Sequence, residues 1–364
     1  MEIGIIGLPQ SGKTTIFNAA TRGLAQVASY ASAPNIGVAK VPDQRLDILT
    51  EIFDPKKTIS AEITYVDIPA SPEGLGKNQG ISGEYLNMLQ RSDALLLVVR
   101  AFDNPAVPHI LDSIDPSRDI ENLMYELTFV DLEILDRRIS RISDGLKSAG
   151  GTDREILNRE MQFLHTLKSE LEQGTHIRDR AMSEAESRLL SGFQLLTGKP
   201  LIVVVNVDEE QLGEVSQIES ELDNEVAGDK VRVAVLCGGL EMDLAQMDET
   251  EDMEFRESLG IVLESGLKKM IRLSYSVLDL ISFLTVGEDE VRAWPITRGT
   301  VAQKAAGKIH TDLERGFIRG EVVSYKDLRE CGSLSDARKK GLLRQEGKEY
   351  VVRDGDIMHV LFNI

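Results

Sequence analysis

Gly7-Leu8-Pro9-Gln10-Ser11-Gly12-Lys13-Thr14 spells G-x-x-x-x-G-K-T directly after the apolar run Ile3-Gly4-Ile5-Ile6. A strand, then this loop, then a helix is the context of a phosphate-binding loop. Two glycines let the backbone curl until successive N–H groups face one point, and Lys13 adds a mobile positive charge for the β and γ phosphates. Thr14 offers a hydroxyl to Mg²⁺. The stretch Thr15 to Thr21 reads as a helix whose N-terminus points at the same anion. Gly7, Gln10, Ser11, Gly12, Lys13, Thr14 and Thr15 are therefore candidate nucleotide-binding residues, with Lys13 also a candidate catalytic group. An ordinary Gly-rich turn would leave Lys13-Thr14 unexplained.

Further β-rich apolar runs follow at Ile63 to Val66, Leu95 to Val99, Leu201 to Val205 and Val231 to Leu236. They are nearly continuous rather than alternating, as strands covered on both faces should be. With helical segments between them, the expected fold class is α/β, a doubly wound, mostly parallel sheet whose ligands sit beyond the carboxyl ends of its strands. Asp67 stands at one such end, where a carboxylate can hold a Mg²⁺-bound water opposite Thr14. At another, Asn206-Val207-Asp208-Glu209 occupies the place where GTPases carry N-K-x-D. There the Asp receives the two donors of guanine and the Lys lies along the base. Here Val replaces the Lys and the carboxylate is on Glu209, one methylene longer, so guanine loses its matched partner. Adenine needs no such carboxylate, and its N1 can accept from an amide such as that of Asn206. Asn206, Val207 and Glu209 are the candidate base-side residues, and ATP is the expected nucleotide.

Between Asp119 and Gly198 there is no strand signal. Ile120, Leu123, Leu127, Val130, Ile134, Ile139 and Ile142 repeat mostly at steps of three and four. A second arm carries Leu164, Leu167, Leu171, Ala185, Leu189 and Phe193, with Gly150-Gly151 as the turn. This reads as an antiparallel helical hairpin, partly coiled coil, inserted into the nucleotide domain. After the acidic stretch Met247 to Glu254 and a helix from Leu259 to Leu273, strand candidates recur at Val291 to Ile296, Ile318 to Val323, Tyr350 to Val352 and Ile357 to Phe362. With a helix around Tyr325 to Glu330 they describe a compact α+β module. The expected domains are residues 1–117 with 199–277 for the nucleotide, 118–198 for the hairpin, and 278–364 for the C-terminal module.

At 364 residues, 42% apolar and 28% charged, the chain is long enough for two or three cores. Its two cysteines, Cys237 and Cys331, form no C-x-x-C, which argues against a disulfide framework or a zinc site and for buried small residues in a reducing compartment. The start Met1-Glu2-Ile3-Gly4 has no basic leader, and no apolar run approaches spanning length, so a cytoplasmic location without membrane contact is expected. The net charge of -19 argues against simple nucleic-acid coating. It is uneven: from Arg292 onward 14 Lys and Arg face 10 Asp and Glu, a balance of +4, and the rest carries -23. A mildly basic end on an acidic body can touch RNA phosphate, or simply be a solvated surface.

The run Gly7 to Asn18, Val41-Pro42-Asp43 with Arg45-Leu46, and the N-x-x-E of Asn206 to Glu209 together resemble the YchF or Obg-like ATPase family of the Obg-related translation-factor class. Gly287 to Trp294, Ala306 to Asp312, Glu314 to Arg319 and Asp354-Gly355-Asp356 resemble its TGS domain, so the likeness covers essentially the whole chain. It implies ATP binding and hydrolysis with Mg²⁺, association with the ribosome or its RNA, and a β-grasp-like C-terminal domain; no DNA contact is expected, and a monomer is. His109, in Pro108-His109-Ile110, matches a histidine the family carries after the fourth strand and is a candidate water-orienting or sensing group, although a surface histidine is the commoner case.

The chain also departs from the family. Ala31-Ser32-Ala33-Pro34-Asn35 lacks the Mg²⁺-ligating threonine, for which only Ser32 or Ser29 could substitute. Asp67-Ile68-Pro69-Ala70 lacks the D-x-x-G glycine, and a proline has no N–H to offer a γ phosphate. Cys237-Gly238 replaces the Ser-Ala that usually backs the base, a milder change. Two readings follow from this: a slow Mg²⁺-dependent ATPase, or a nucleotide-stabilised ribosome or RNA adaptor with little hydrolysis. A GTPase is the rival within the first class.

Overall fold

The computed structural model describes residues 1–23, 34–69, 83–226, 228, 230–258 and 265–363. In chain order, β1 (Glu2–Ile6) and α1 (Lys13–Thr21) flank the phosphate loop, followed by β2 (Asn35–Lys40), α2 (Gln44–Phe53), β3 (Thr58–Ile59) and β4 (Glu62–Asp67). Next come α3 (Gly83–Arg91), β5 (Ala94–Arg100), α4 (Pro116–Leu146), α5 (Gly151–Glu172), α6 (Glu184–Leu190) and β6 (Leu201–Asn206). Then α7 (Val215–Glu225), β7 (Val231–Leu236), α8 (Gly238–Leu244), α9 (Glu249–Ser258) and α10 (Gly266–Val277) lead to the last third. That third holds β8 (Leu280–Thr285), β9 (Val291–Thr297), α11 (Ala302–Ile309), α12 (Thr311–Arg315), β10 (Phe317–Ser324), α13 (Tyr325–Cys331), α14 (Leu334–Lys339), β11 (Arg344–Glu346) and β12 (Asp356–Phe362). The chain divides into two compact units, Met1–Gly37 with Thr64–Met270, and Val38–Ile63 with Ile271–Ile364.

In the first unit the five apolar runs become β1, β4, β5, β6 and β7, in a sheet of order β2-β4-β1-β5-β6-β7. The pairs β1 with β4, β1 with β5, β5 with β6 and β6 with β7 are all parallel. Their continuous apolar character follows from two buried faces. Leu95, Leu97, Val99, Leu201, Val203 and Val205 pack with Tyr85 and Leu89 of α3, Ile120, Leu123 and Leu127 of α4, and Leu222 of α7. On the other face Ile3, Ile5, Leu96, Val98, Ile202 and Val204 are equally buried. The strand β2 escapes the apolar-run test because only Ala39 in it is buried, while Ile36 and Val38 are exposed.

The expected helical stripe of α4 divides in two. Its first half, Ile120 to Val130, belongs to the sheet's core, whereas Leu135 and Ile142 join Leu164, Leu167 and Leu171 of α5 in a separate cluster. Asp115 caps α4 by accepting from the Arg118 N–H, with Pro116 just inside the helix. Gly150 is the N-cap of α5 and Gly151 its first residue, at φ 55°, so the glycine pair makes the turn between the arms. Surface pairs such as Arg138–Glu160 and Lys168–Asp136 ornament the arms, each contributing little in water. The anchor lies elsewhere. Asp131 on α4 is fully buried and accepts from the Leu196 N–H at 2.8 Å, the Thr197 N–H at 2.7 Å and the Thr197 hydroxyl at 2.6 Å. It thereby fastens the helix to the segment that enters β6. Burial pushes its carboxyl up to about 6, against the pull of those bonds and of Arg178.

The second unit is a sheet of order β11-β10-β12-β8-β9-β3. Antiparallel pairs β10 with β11, β10 with β12 and β8 with β9 are joined by parallel pairing of β12 with β8 and β3 with β9. Ala302, Ala305 and Ala306 of α11 cover its core of Ile281, Phe283, Trp294, Phe317, Val322 and Met358. Residues 38–63, which the sequence reading placed with the nucleotide domain, enter this unit through β3 and through Arg45, whose guanidinium bonds both Asp43 and Asp354. Asp354 also accepts from the Ser282 N–H, so α2 and β8 share one carboxylate. The strand expected at Tyr350 to Val352 reduces to the single bridge Val351 to Val301, because the Tyr350 N–H closes a turn onto Gly347. The helix expected from Leu259 to Leu273 is described only from Gly266, residues 259–264 lying outside the described residues. Cys237 is buried as expected, while Cys331 is half-buried.

Replacing Asp131 by Ala leaves two buried backbone N–H groups and a hydroxyl without their acceptor, so unfolding in denaturant should become easier by about 3 kcal/mol or more.

Candidate functional site

The phosphate loop owes its shape to positions where a side chain has no room. Gly7 sits at φ 152°, and a Cβ there would lie 2.3 Å from the Val98 carbonyl of β5. Gly12, at φ 94°, would place one 2.1 Å from the Asn206 amide nitrogen. Gln10 takes the left-handed conformation at φ 63° with its side chain exposed. The result turns the backbone around a common centre ahead of α1, where the first N–H groups of a helix lack partners.

Lys13 is buried, and its Nζ donates to the Gly7 carbonyl at 3.0 Å and the Leu8 carbonyl at 2.9 Å. Burial lowers its ammonium to about 8, partly offset by the negative charge of Asp67. Thr14 Oγ1 donates to Asp67 Oδ2 at 2.8 Å, and the same oxygen accepts from Asn35 Nδ2 at 3.2 Å. Lys13, Thr14 and Asp67 are therefore brought together, and Asn35 joins them, a residue the sequence reading quoted only as a landmark. Thr15 is half-buried on α1.

Asn206, the expected base contact, is held by two hydrogen bonds within the protein. Its Nδ2 donates to the Ser11 carbonyl at 3.0 Å and its Oδ1 accepts from the Gly238 N–H at 2.9 Å, so the amide ties the loop to the β7–α8 turn. The Val207 side chain lies in the apolar cluster on the sheet's other face, 2% exposed, which leaves only its backbone on the loop side. Asp208 is spent locally, exchanging hydrogen bonds with Gln211. Glu209 is exposed. Burial raises the Cys237 thiol, and the carboxylates of Glu209 and Asp208 push in the same direction, which marks both as neighbours of the β7–α8 turn.

Two family models match this chain: one described as a 50S ribosome-binding GTPase over residues 2–130, and the YchF-GTPase C-terminal model, described as a protein of unknown function, over residues 280–363. The ribosome-binding ATPase YchF of Bacillus subtilis (strain 168) is 40% identical across the full length of both chains. The chain belongs to the YchF family. The ribosome-binding ATPase YchF of Escherichia coli O157:H7 is 36% identical over 100% of this chain and 99% of its own. Among solved structures, the YchF GTPase of Schizosaccharomyces pombe superposes with a TM-score of 0.86 at 31% identity, covering 99% of this chain and 97% of that one.

Two features of this YchF-family chain were not foreseen. The His109 side chain is not at the surface: it is 6% exposed, with Nε2 2.9 Å from Asp119 Oδ2 and Nδ1 accepting from the Leu111 N–H. The described contacts hold it to the start of α4 and not to the phosphate loop. The second is Arg100, a buried cation closing an otherwise apolar strand; the lone charge at the end of Ala94 to Val99 was the available signal. Ser29, Ala31, Ser32, Ala33, Ala70 and Ser71 lie outside the described residues, whereas Pro69 is described and has no N–H to offer.

Nucleotide phosphates arriving at Lys13 should restore its proton affinity. Above pH 8, where the free group is mostly neutral, binding must then take up a proton, and affinity should fall up to tenfold per pH unit. Calorimetry at pH 8.5 in buffers of different ionisation enthalpy reads that uptake directly; below pH 7 it should vanish. Asn206→Ala, by freeing both the Ser11 carbonyl and the Gly238 N–H, should weaken nucleotide binding by about 2 kcal/mol, roughly 30-fold, in the same titration.

Proposed function

We propose that this chain is a ribosome-associated P-loop triphosphatase that binds ATP with Mg²⁺ and turns it over slowly until a partner stimulates it. The observation that carries this reading is the buried Lys13, parked on the Gly7 and Leu8 carbonyls of a phosphate loop, in a chain matched end to end by relatives named ribosome-binding ATPases. The Lys13 ammonium can exchange those two carbonyls for β and γ oxygens with no change in its surroundings beyond its own rotamers. Backbone N–H groups near Ser11, Gly12 and Lys13 supply the remaining stabilisation.

Thr14 and Asp67 fit a magnesium ion: a hydroxyl and a carboxylate 2.8 Å apart are the hard oxygen donors it takes alongside phosphate and water. Thr14 would bind it directly and Asp67 through a water. Held there, the ion would supply positive charge to the phosphates. Among the described residues no group of three or more His, Cys, Asp or Glu could hold a metal ion.

The preference for ATP rests on the base side. With Val207 turned into the core no lysine lies along the base, and Glu209 stands where guanine wants an aspartate. The related S. pombe structure carries the word GTPase in its name, so the base is the point to test. No glutamine follows Asp67-Ile68-Pro69 to orient water, and His109 could do so only after leaving Asp119. Slow intrinsic turnover follows. The arm at 118–198 and the TGS-like module at 278–364, whose stretch from Arg292 onward is basic, are the surfaces this reading assigns to the ribosome, in the cytoplasm and as a monomer. Among the described residues no helix is long and apolar enough to cross a membrane.

Phosphate release from ATP should run below about 1 s⁻¹ without ribosomes, rise with them, and vanish in Lys13→Ala. Release independent of Lys13, or absent with ribosomes present, would instead favour the adaptor. Calorimetric titration should give tighter ATP than GTP binding; the reverse order would overturn the reading of Asn206 to Glu209.

A further inference from the structure

Arg100 follows six buried apolar residues of β5 and is itself only 2% exposed. It is in register with Asn206 on β6, and residues paired across parallel strands point their side chains to the same face. That face carries the phosphate loop, because the Asn206 side chain holds the Ser11 carbonyl; at the same end of β5, Gly7 lies so close to the Val98 backbone carbonyl that a Cβ would meet it. The guanidinium thus stands at the carboxyl end of the sheet, where ligands of such folds sit.

Its own bonds are incomplete. Nε donates to the Phe102 carbonyl at 3.0 Å and the group lies over the Phe102 ring, 4.5 Å from its centroid. Among the described residues Nη1 has no hydrogen-bond partner, and on the neighbouring loop the buried Ser11 hydroxyl has none either. A buried donor without an acceptor is uncommon and marks a site of unfinished bonding. Meanwhile position 207, the place of the GTPase lysine, is an apolar residue turned to the opposite face.

We infer that Arg100 is a further nucleotide-binding residue: from the strand beside Asn206 it supplies the cation that Val207 does not, and Nη1 donates to an acceptor on the part of the nucleotide shared by ATP and ADP. The inference rests on the proposed nucleotide site. Guanidinium fits the task because several N–H groups stay available after one is committed to Phe102.

The test is calorimetric titration of the full-length wild type, Arg100→Met and Arg100→Lys with ATP and with ADP, beside thermal melts of each without nucleotide. Met fills a similar volume without donors. Arg100→Met should weaken both nucleotides about tenfold and equally, Arg100→Lys less, with the nucleotide-free melts unchanged. Unchanged affinity in Arg100→Met would show a cation satisfied by water and overturn the inference. So would a loss confined to ATP, which would move the contact to the γ phosphate, or a loss that matches a reduced folded fraction in the melts. A wild type that binds neither nucleotide overturns the proposed function and this inference together, whereas an unaffected Arg100→Met in a wild type that binds overturns the inference alone.

Discussion

The side-chain amide of Asn206 is the constraint on which the site depends. One end accepts from the Gly238 N–H, the other donates to the Ser11 carbonyl, and Gly12 has no room for a Cβ because that amide fills the space. Three segments far apart in sequence, the loop, the end of β6 and the start of α8, are thereby held to hydrogen-bond tolerance. A loop that must present several N–H groups to one point gains from such a clamp, since preorganised donors do not have to be reoriented when charge arrives. Lys13 is then the movable part of an otherwise fixed cradle, its ammonium waiting on carbonyls of the same loop.

Much of this was legible in the sequence, for definite reasons. Continuous apolar runs marked β1, β4, β5, β6 and β7 because both faces of a parallel sheet are covered, and G-x-x-x-x-G-K-T marked the cradle because its glycines are sterically compelled. Asp67 was legible from its place at a strand end. What escaped was whatever depends on partners distant in sequence. β2 has only one buried residue, so periodicity cannot find it. Arg45 reads as an ordinary helix-start arginine until Asp354, on the far side of the sequence, turns it into a weld. Asn206 reads as a base contact from its motif position, and nothing in that motif shows that its amide also bonds the Ser11 carbonyl and the Gly238 N–H. His109 looked exposed because it lies among prolines and is instead buried against Asp119.

The long helix α4 illustrates how one sequence pattern can serve two cores. Its apolar positions repeat without a break, yet the first half packs on the sheet and the second half on α5. Asp131 lies at the change-over, where its three acceptor bonds fix the helix against the residues leading into β6. A buried carboxylate is costly to desolvate, and here it is matched by donors with well-defined geometry, so it specifies one seating of the helix where apolar contacts alone would permit sliding.

The second unit is closed by pairing Thr58 with Val291 and Ile59 with Arg292, and by Arg45 reaching Asp354. These contacts join residues that emerge early in synthesis to residues that emerge last. During translation the early segment must therefore remain unpaired while the whole of the first unit is made, and it can find its sheet only when the C-terminal strands have left the exit tunnel. A chain truncated between β4 and β9 would retain α2 and β3 with no sheet to join, so integrity of the C-terminal strands is read out at a segment lying between the phosphate loop and Asp67.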